Sequence, residues 1–125
     1  MLVNMKQIQA IHSVSEWEQW QPEIPASGLI IFKFSPICPI SRGVERDFDA
    51  WYAQLPEEIA PLCAKVNVIE ARPLSQHLSQ IFHVEHESPQ VIWLTSDRMV
   101  FWSASHHAVR PQTLTAQLHH IMPQR

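Results

Sequence analysis

The pattern of hydrophobic and polar positions changes its period along the chain, and it predicts strands alternating with helices. Runs that are apolar or rich in β-branched residues predict four strands, and a stretch of alternating polarity predicts a short strand before them. These five segments are residues 5–11, 28–34, 63–69, 90–95 and 99–105. Helical spacing and helix-starting residues predict four helices, at residues 13–20, 39–55, 74–82 and 111–122. The first of these helices opens with Ser13 and Glu16, which match a capping box.

The predicted order of elements is β-α-β-α-β-α-β-β-α. Alternating strands and helices indicate a parallel sheet covered on both faces, and the short polar stretch 96–98 between the last two strands indicates a tight hairpin. Trp93 and Trp102 are placed to pair across this hairpin. The order is that of thioredoxin, so we expect an α/β, thioredoxin-like fold: a central mixed β-sheet flanked by helices on both faces. At this length we expect a single domain over residues 1–125.

Composition narrows the class of protein. A hydrophobic fraction of 46% and five tryptophans indicate a folded chain. The net charge of -3 offers no electrostatic basis for binding nucleic acid or an anionic membrane, and no apolar stretch has the length of a membrane span. The first residues lack a basic region followed by a continuous apolar segment, so we expect no signal peptide and a cytoplasmic protein.

Cys38 follows the end of a predicted strand and precedes a predicted helix that begins with Pro39. This places the thiol at the helix N-cap, where unpaired N–H groups and the helix dipole favour an anion and tend to lower a thiol's pKa. The thiolate is the form that attacks disulfides. Ser41 lies one turn further on, where its hydroxyl can donate to the sulfur; the pattern is C-x-x-S, so no local disulfide forms. The alternative is a cysteine that serves only as a small buried hydrophobe.

Two other residues bear on this site. Cys63 begins an apolar strand pattern, so packing is its expected role, although its sequence position leaves a disulfide with Cys38 open. Pro89 precedes a predicted buried strand. In a thioredoxin-like fold a cis proline at this position faces the reactive cysteine, and Ser88 would present its backbone to a substrate. A trans proline that merely ends a loop is the alternative.

Three motifs resemble one known family. "FKFSPICPIS" resembles the "FKHSTxCPIS" signature of the YtxJ-like bacillithiol-system proteins, the monothiol bacilliredoxin family. "VEHESPQVIWL" is similar to that family's "V.HESPQ" segment, and "SASHHAV" resembles its "ASH" element. The likeness runs from about Ile30 to Leu118, with the motifs in the family's order.

This resemblance implies a cytosolic thiol–disulfide oxidoreductase in which Cys38 attacks mixed disulfides between client proteins and the small thiol bacillithiol. The implied catalytic residues are Cys38 and Ser41. The implied substrate-binding residues are Pro39, Ile40, Glu87, Ser88 and Pro89. The resemblance further implies a bacillithiol-type thiol as co-substrate, S-thiolated proteins as partners, and no tightly bound cofactor or metal.

The chain departs from the family pattern beside the cysteine. Phe34 stands where the family has histidine, and Pro36 and Ile37 replace polar residues, which removes polar groups near the thiol. Lys33 is retained, but its position on a strand allows it to point to the other face of the sheet.

The eight histidines show no metal-binding spacing. His106 alone matches a family element, and we expect a structural hydrogen bond from it near the hairpin.

Two functions from different classes are compatible with the sequence. One is the monothiol enzyme, and the other is a non-catalytic thioredoxin-fold module that binds a partner or senses oxidation through Cys38. An iron–sulfur carrier is a more distant alternative, because the glycine-containing motif of the monothiol glutaredoxins is absent.

Overall fold

The structure of the protein is a computed structural model, and it describes residues 8–122. The strands are β1 (Ile8–Ala10), β2 (Leu29–Phe34), β3 (Leu62–Asn67), β4 (Gln90–Leu94) and β5 (Val100–Ser105). The helices are α1 (Val14–Gln19), α2 (Pro39–Ala53), α3 (Arg72–Phe82) and α4 (Pro111–Ile121), with a 3₁₀ turn at His106–Ala108. This is the predicted order of elements. The beginning of the predicted first strand, residues 5–7, lies outside the described residues.

The five strands form one mixed sheet in the order β1-β3-β2-β4-β5. The first three strands in this order are parallel, β4 is antiparallel to β2, and β5 is antiparallel to β4. The register pairs Lys33, next to last in β2, with Gln90, the first residue of β4. The last residues of β2 and the first residues of β4 therefore lie at the same end of the sheet.

Helices cover both faces of the sheet, and each face has its own core. Successive residues of β2 alternate between the two: Leu29 and Ile31 lie in the core that contains residues of α1 and α3, while Ile30 and Phe32 lie in the core that contains residues of α2 and α4. All four are fully buried. A strand buried on both faces has no position for an exposed polar residue, which accounts for a run in the sequence that is apolar except for the buried Lys33.

One local detail differs from the sequence prediction. The Ser13 hydroxyl accepts from the Glu16 N–H at 3.0 Å, but the Glu16 carboxylate accepts from the N–H of His12, not from that of Ser13. The predicted tight hairpin is confirmed, because the Thr95 N–H donates to the Met99 carbonyl at 2.8 Å and leaves residues 96–98 as the turn between β4 and β5. The predicted Trp93–Trp102 pair is confirmed, with ring centroids 6.4 Å apart.

Candidate active site

Cys38 occupies the N-cap of α2, as predicted, and Pro39 is the first helical residue. The backbone of Cys38 is extended (φ -96°, ψ 118°), and its carbonyl accepts the first helical bond, from the Arg42 N–H at 3.0 Å. The thiol makes no capping hydrogen bond to the helix. Cys38 is half-buried and its thiol is free, at the positive end of a 15-residue helix.

Ser41 has a different role from the one predicted. It is fully buried, and its hydroxyl oxygen accepts from the Ser35 N–H at 2.8 Å. This bond joins the end of β2 to the first turn of α2 and so fixes the loop that carries Cys38. Within the described residues no hydrogen bond joins the Ser41 hydroxyl to the sulfur, and that part of the prediction was wrong.

The residues around the thiol form an exposed apolar rim. Ile37 is 75% exposed and Ile40 is 58% exposed, and both prolines beside them, Pro36 and Pro39, are exposed as well. Exposed aliphatic side chains contribute nothing to the core, so a cluster of them around a reactive thiol favours contact with a partner.

The Ser88–Pro89 peptide bond is cis, as predicted. Pro89 precedes Gln90, and the Lys33–Gln90 pairing places it beside the end of β2, from which the Cys38 loop departs. The sheet thus brings two segments distant in sequence, residues 35–41 and 87–89, to one end.

Glu87 and His106 meet beside this proline. The His106 Nε2 atom lies 3.2 Å from Glu87 Oε1, and the His106 backbone N–H donates to the Pro89 carbonyl at 2.9 Å. The expected structural hydrogen bond of His106 is confirmed. The Glu87 carboxylate thus already has a partner within the protein. Its contact with a substrate stays a prediction.

Gln90 contributes to the site, although sequence analysis did not single it out. It is buried, and its amide Nε2 donates to the Glu85 carbonyl at 2.7 Å and to the Ser105 hydroxyl at 3.3 Å. A glutamine at the start of an otherwise apolar strand was the available signal, because a buried amide requires polar partners.

Cys63 is a packing residue, as predicted. It lies in β3 between Ile8 and Ile30 of the neighbouring strands and is fully buried. Burial raises the pKa of its thiol well above the ordinary range. Both cysteines are free, so the disulfide that the sequence left open is not formed.

Lys33 points away from the helix that carries Cys38 at its N-cap. Its buried Nζ donates to the Ser75 carbonyl and to the Ser79 hydroxyl of α3, each at 2.9 Å. Burial lowers the pKa of this amine to about 8. Lys33 therefore ties β2 to α3, on the face of the sheet opposite to α2.

Lys33 should give the protein a measurable pH dependence of stability. Its folded-state pKa of about 8 lies below the unfolded value of about 10.4. Between these two pH values the unfolded chain binds more protons than the folded chain, so the free energy of unfolding rises with pH. We expect wild type to gain roughly 1 to 3 kcal/mol relative to a Lys33→Met variant across this range, measured by urea denaturation.

Lys65→Met is the matched control for this experiment. Burial would lower the pKa of Lys65, but its hydrogen bonds to Asp49 and Glu45 outweigh that effect and raise the pKa. Lys65 is thus charged in both states below about pH 10, and its removal should change stability by a constant amount there. A constant difference for Lys33→Met as well would contradict the assignment of a depressed pKa to Lys33.

The described residues form neither a metal site nor a membrane span. Across residues 8–122, no group of three or more His, Cys, Asp or Glu side chains is arranged to hold a metal ion. No helix in that same part of the chain is long and apolar enough to cross a membrane.

Comparison with solved structures defines the fold class. A thioredoxin from Malassezia sympodialis is similar with a TM-score of 0.68 and 16% identity, over 96% of this chain and 95% of that one. A thioredoxin variant from Halobacterium salinarum is similar with a TM-score of 0.70 and 11% identity, over 100% of this chain and 99% of that one. Another protein with a thioredoxin fold is similar with a TM-score of 0.71 and 21% identity, over 88% of this chain and 92% of that one. The chain therefore has the predicted thioredoxin-like fold.

The family follows from the sequence itself. A family model described as "Monothiol bacilliredoxin BrxC" matches residues 9–114, which is most of the chain. The chain belongs to the monothiol bacilliredoxin family, as its three motifs predicted. Fold and family together support a thiol oxidoreductase type of function.

Proposed function

We propose that this chain is a monothiol thiol–disulfide oxidoreductase that removes a small thiol of the bacillithiol type from protein cysteines. The observation that carries the proposal is the contrast between its two sulfurs. Cys38 is half-buried at the start of α2, whereas Cys63 is fully buried in the sheet. A single thiol can therefore meet a disulfide from solution.

The reaction has two half-reactions. First, the Cys38 thiolate attacks the small thiol's sulfur in a mixed disulfide with a client protein. A disulfide forms between Cys38 and the small thiol, and the client cysteine leaves as a thiolate, which is then protonated. Second, the thiolate of a free small thiol attacks this adduct, forms a symmetric disulfide and releases Cys38. The net reaction converts a mixed disulfide and one free thiol into a protein thiol and a symmetric disulfide.

The residues around the thiol have distinct roles in this proposal. The Ser88 backbone aligns the client segment as a short extended partner, with Pro89 beside the disulfide. The exposed side chains of Pro39 and Ile40 contact apolar residues of the client. Ser41 keeps the Cys38 loop in place through Ser35, without acting on the sulfur.

The proposed enzyme requires protein partners and a small-thiol co-substrate. Its partners are S-thiolated proteins, its co-substrate is a bacillithiol-type small thiol, and it holds no tightly bound cofactor. The compartment is the cytoplasm, where free thiols persist.

Intact-mass analysis after exposure to the disulfides of bacillithiol, glutathione and coenzyme A, in parallel, tests the proposal. We expect one small-thiol adduct per chain, formed fastest with bacillithiol disulfide and located at Cys38 by peptide mapping. Free bacillithiol should then remove it. If none of the three disulfides modifies the protein, the proposed activity is wrong. An adduct that free thiol never removes would favour a redox-sensing module.

A further inference from the structure

The segment 85–90, which contains the proposed substrate contact, is tied to its neighbours by side chains. The Gln90 amide donates to the Glu85 carbonyl at 2.7 Å and so connects the two ends of the segment. On the α3 side, His86 Nδ1 lies 3.0 Å from the Ser75 hydroxyl. This segment has no regular secondary structure before Gln90, so its conformation depends on such contacts.

His106 holds the middle of this segment from the other side. It follows directly after β5 and has a φ of 55°, in the left-handed region that residues other than glycine adopt infrequently. Its ring contacts the Glu87 carboxylate at 3.2 Å, and its backbone N–H donates to the Pro89 carbonyl at 2.9 Å. Ser88 is the single residue between these two anchored positions.

We propose that His106 is a positioning residue that acts through Glu87 to orient the Ser88 backbone for the client segment. The inference rests on the proposed function, because it assigns a task to residues around the same thiol. The main-chain hydrogen bond to Pro89 sets one end of the Ser88 unit, and the side-chain contact with Glu87 sets the other. Without the side-chain contact, the Glu87 side chain is free to rotate.

The role of Ser88 predicts which kinetic constant changes when its backbone is misplaced. Ser88 contacts the client and not the attacking sulfur, so a misplaced Ser88 weakens substrate binding more than the exchange step itself. Alkylation of Cys38 by iodoacetamide needs no aligned polypeptide and should not depend on His106. The Glu87 and His106 side chains are 38% and 51% exposed, so replacing them leaves the two cores intact.

The experiment uses a single-cysteine peptide carried as its mixed disulfide with bacillithiol, and the full-length protein. The variants are Glu87→Ala, His106→Asn, both together, and His106→Gln. Asparagine tolerates a positive φ but is too short to reach Glu87, whereas glutamine is long enough for its amide to contact the Glu87 carboxylate. His107→Asn is the matched control, since His107 is the exposed neighbour in the same turn.

We expect KM to rise by about threefold to tenfold in Glu87→Ala and in His106→Asn, with kcat and the iodoacetamide rate within about twofold of wild type. The double variant should be no worse than either single one, because both remove the same contact. His106→Gln should recover most of the loss, and His107→Asn should behave like wild type.

The outcomes separate the two proposals. Turnover by wild type together with an unchanged KM in both single variants would overturn the positioning role and leave the proposed function standing. Parallel loss of turnover and slower alkylation, with no recovery in His106→Gln, would also overturn it, since it would indicate a general structural role. No turnover by wild type would instead overturn the proposed function, and the positioning role with it.

Discussion

Replacing Cys38 by serine is expected to abolish both adduct formation and turnover. A serine hydroxyl is a weak nucleophile at neutral pH, and it cannot form a disulfide. The loss should be at least roughly three orders of magnitude, as is typical when the nucleophile of an enzyme is removed. Intact-mass analysis for the adduct and a coupled assay for turnover measure the two effects separately.

Cys63→Ala is the matched control for that experiment. Because Cys63 is fully buried and burial raises the pKa of its thiol, it presents no reactive thiolate at neutral pH. We expect this variant to keep turnover within about twofold of wild type, at a small loss of stability for the methyl-sized cavity. If Cys63→Ala stopped release of the adduct, Cys63 would be a resolving thiol and its assignment to the core alone would be wrong.

Replacing Ser41 by cysteine should convert slow, thiol-dependent release into rapid internal release. In wild type the adduct has no second accessible thiol on the chain, so it should accumulate and disappear at a rate proportional to added thiol. In the Ser41→Cys variant, the introduced thiolate attacks the Cys38 sulfur, the small thiol leaves, and a disulfide within the chain remains. Because internal attack has a very high effective concentration, we expect release without added thiol to accelerate at least about a hundredfold. Adduct mass followed over time measures this rate.

Ser41→Ala separates the chemical effect from the structural one. It removes the hydroxyl that accepts from the Ser35 N–H and supplies no thiol, so it should lower the free energy of unfolding by about 1 to 3 kcal/mol without accelerating release. Equal release rates in wild type and Ser41→Cys, without added thiol, would contradict the monothiol mechanism.

Most of the fold was predictable, because its signals are local. The nearly continuous apolar run of β2 indicated a strand covered on both faces, and the structure places its apolar residues alternately in two cores. Pro39 indicated the start of α2 and hence the N-cap position of Cys38. The short polar stretch 96–98 indicated a tight hairpin, and the bond between Thr95 and Met99 closes the turn there.

The partners of polar side chains were much less predictable. Ser41 was expected to reach the sulfur one turn back, yet it accepts from Ser35 on the preceding loop. Lys33 was near the cysteine in sequence, but the alternation of a strand directs it to α3 on the other face. In both cases residue spacing limits the options, and the packing of a separate segment selects among them.

The sequence by itself therefore determined the order of elements, the fold class, the family and the position of the reactive thiol, because each depends on periodicity, on a motif or on a helix boundary. Only the tertiary structure decided that Cys63 is inaccessible, that Lys33 is buried away from α2, and that His106 meets Glu87 beside Pro89. The physical reason is that burial and hydrogen-bond partners depend on contacts between strands and helices that are distant along the chain.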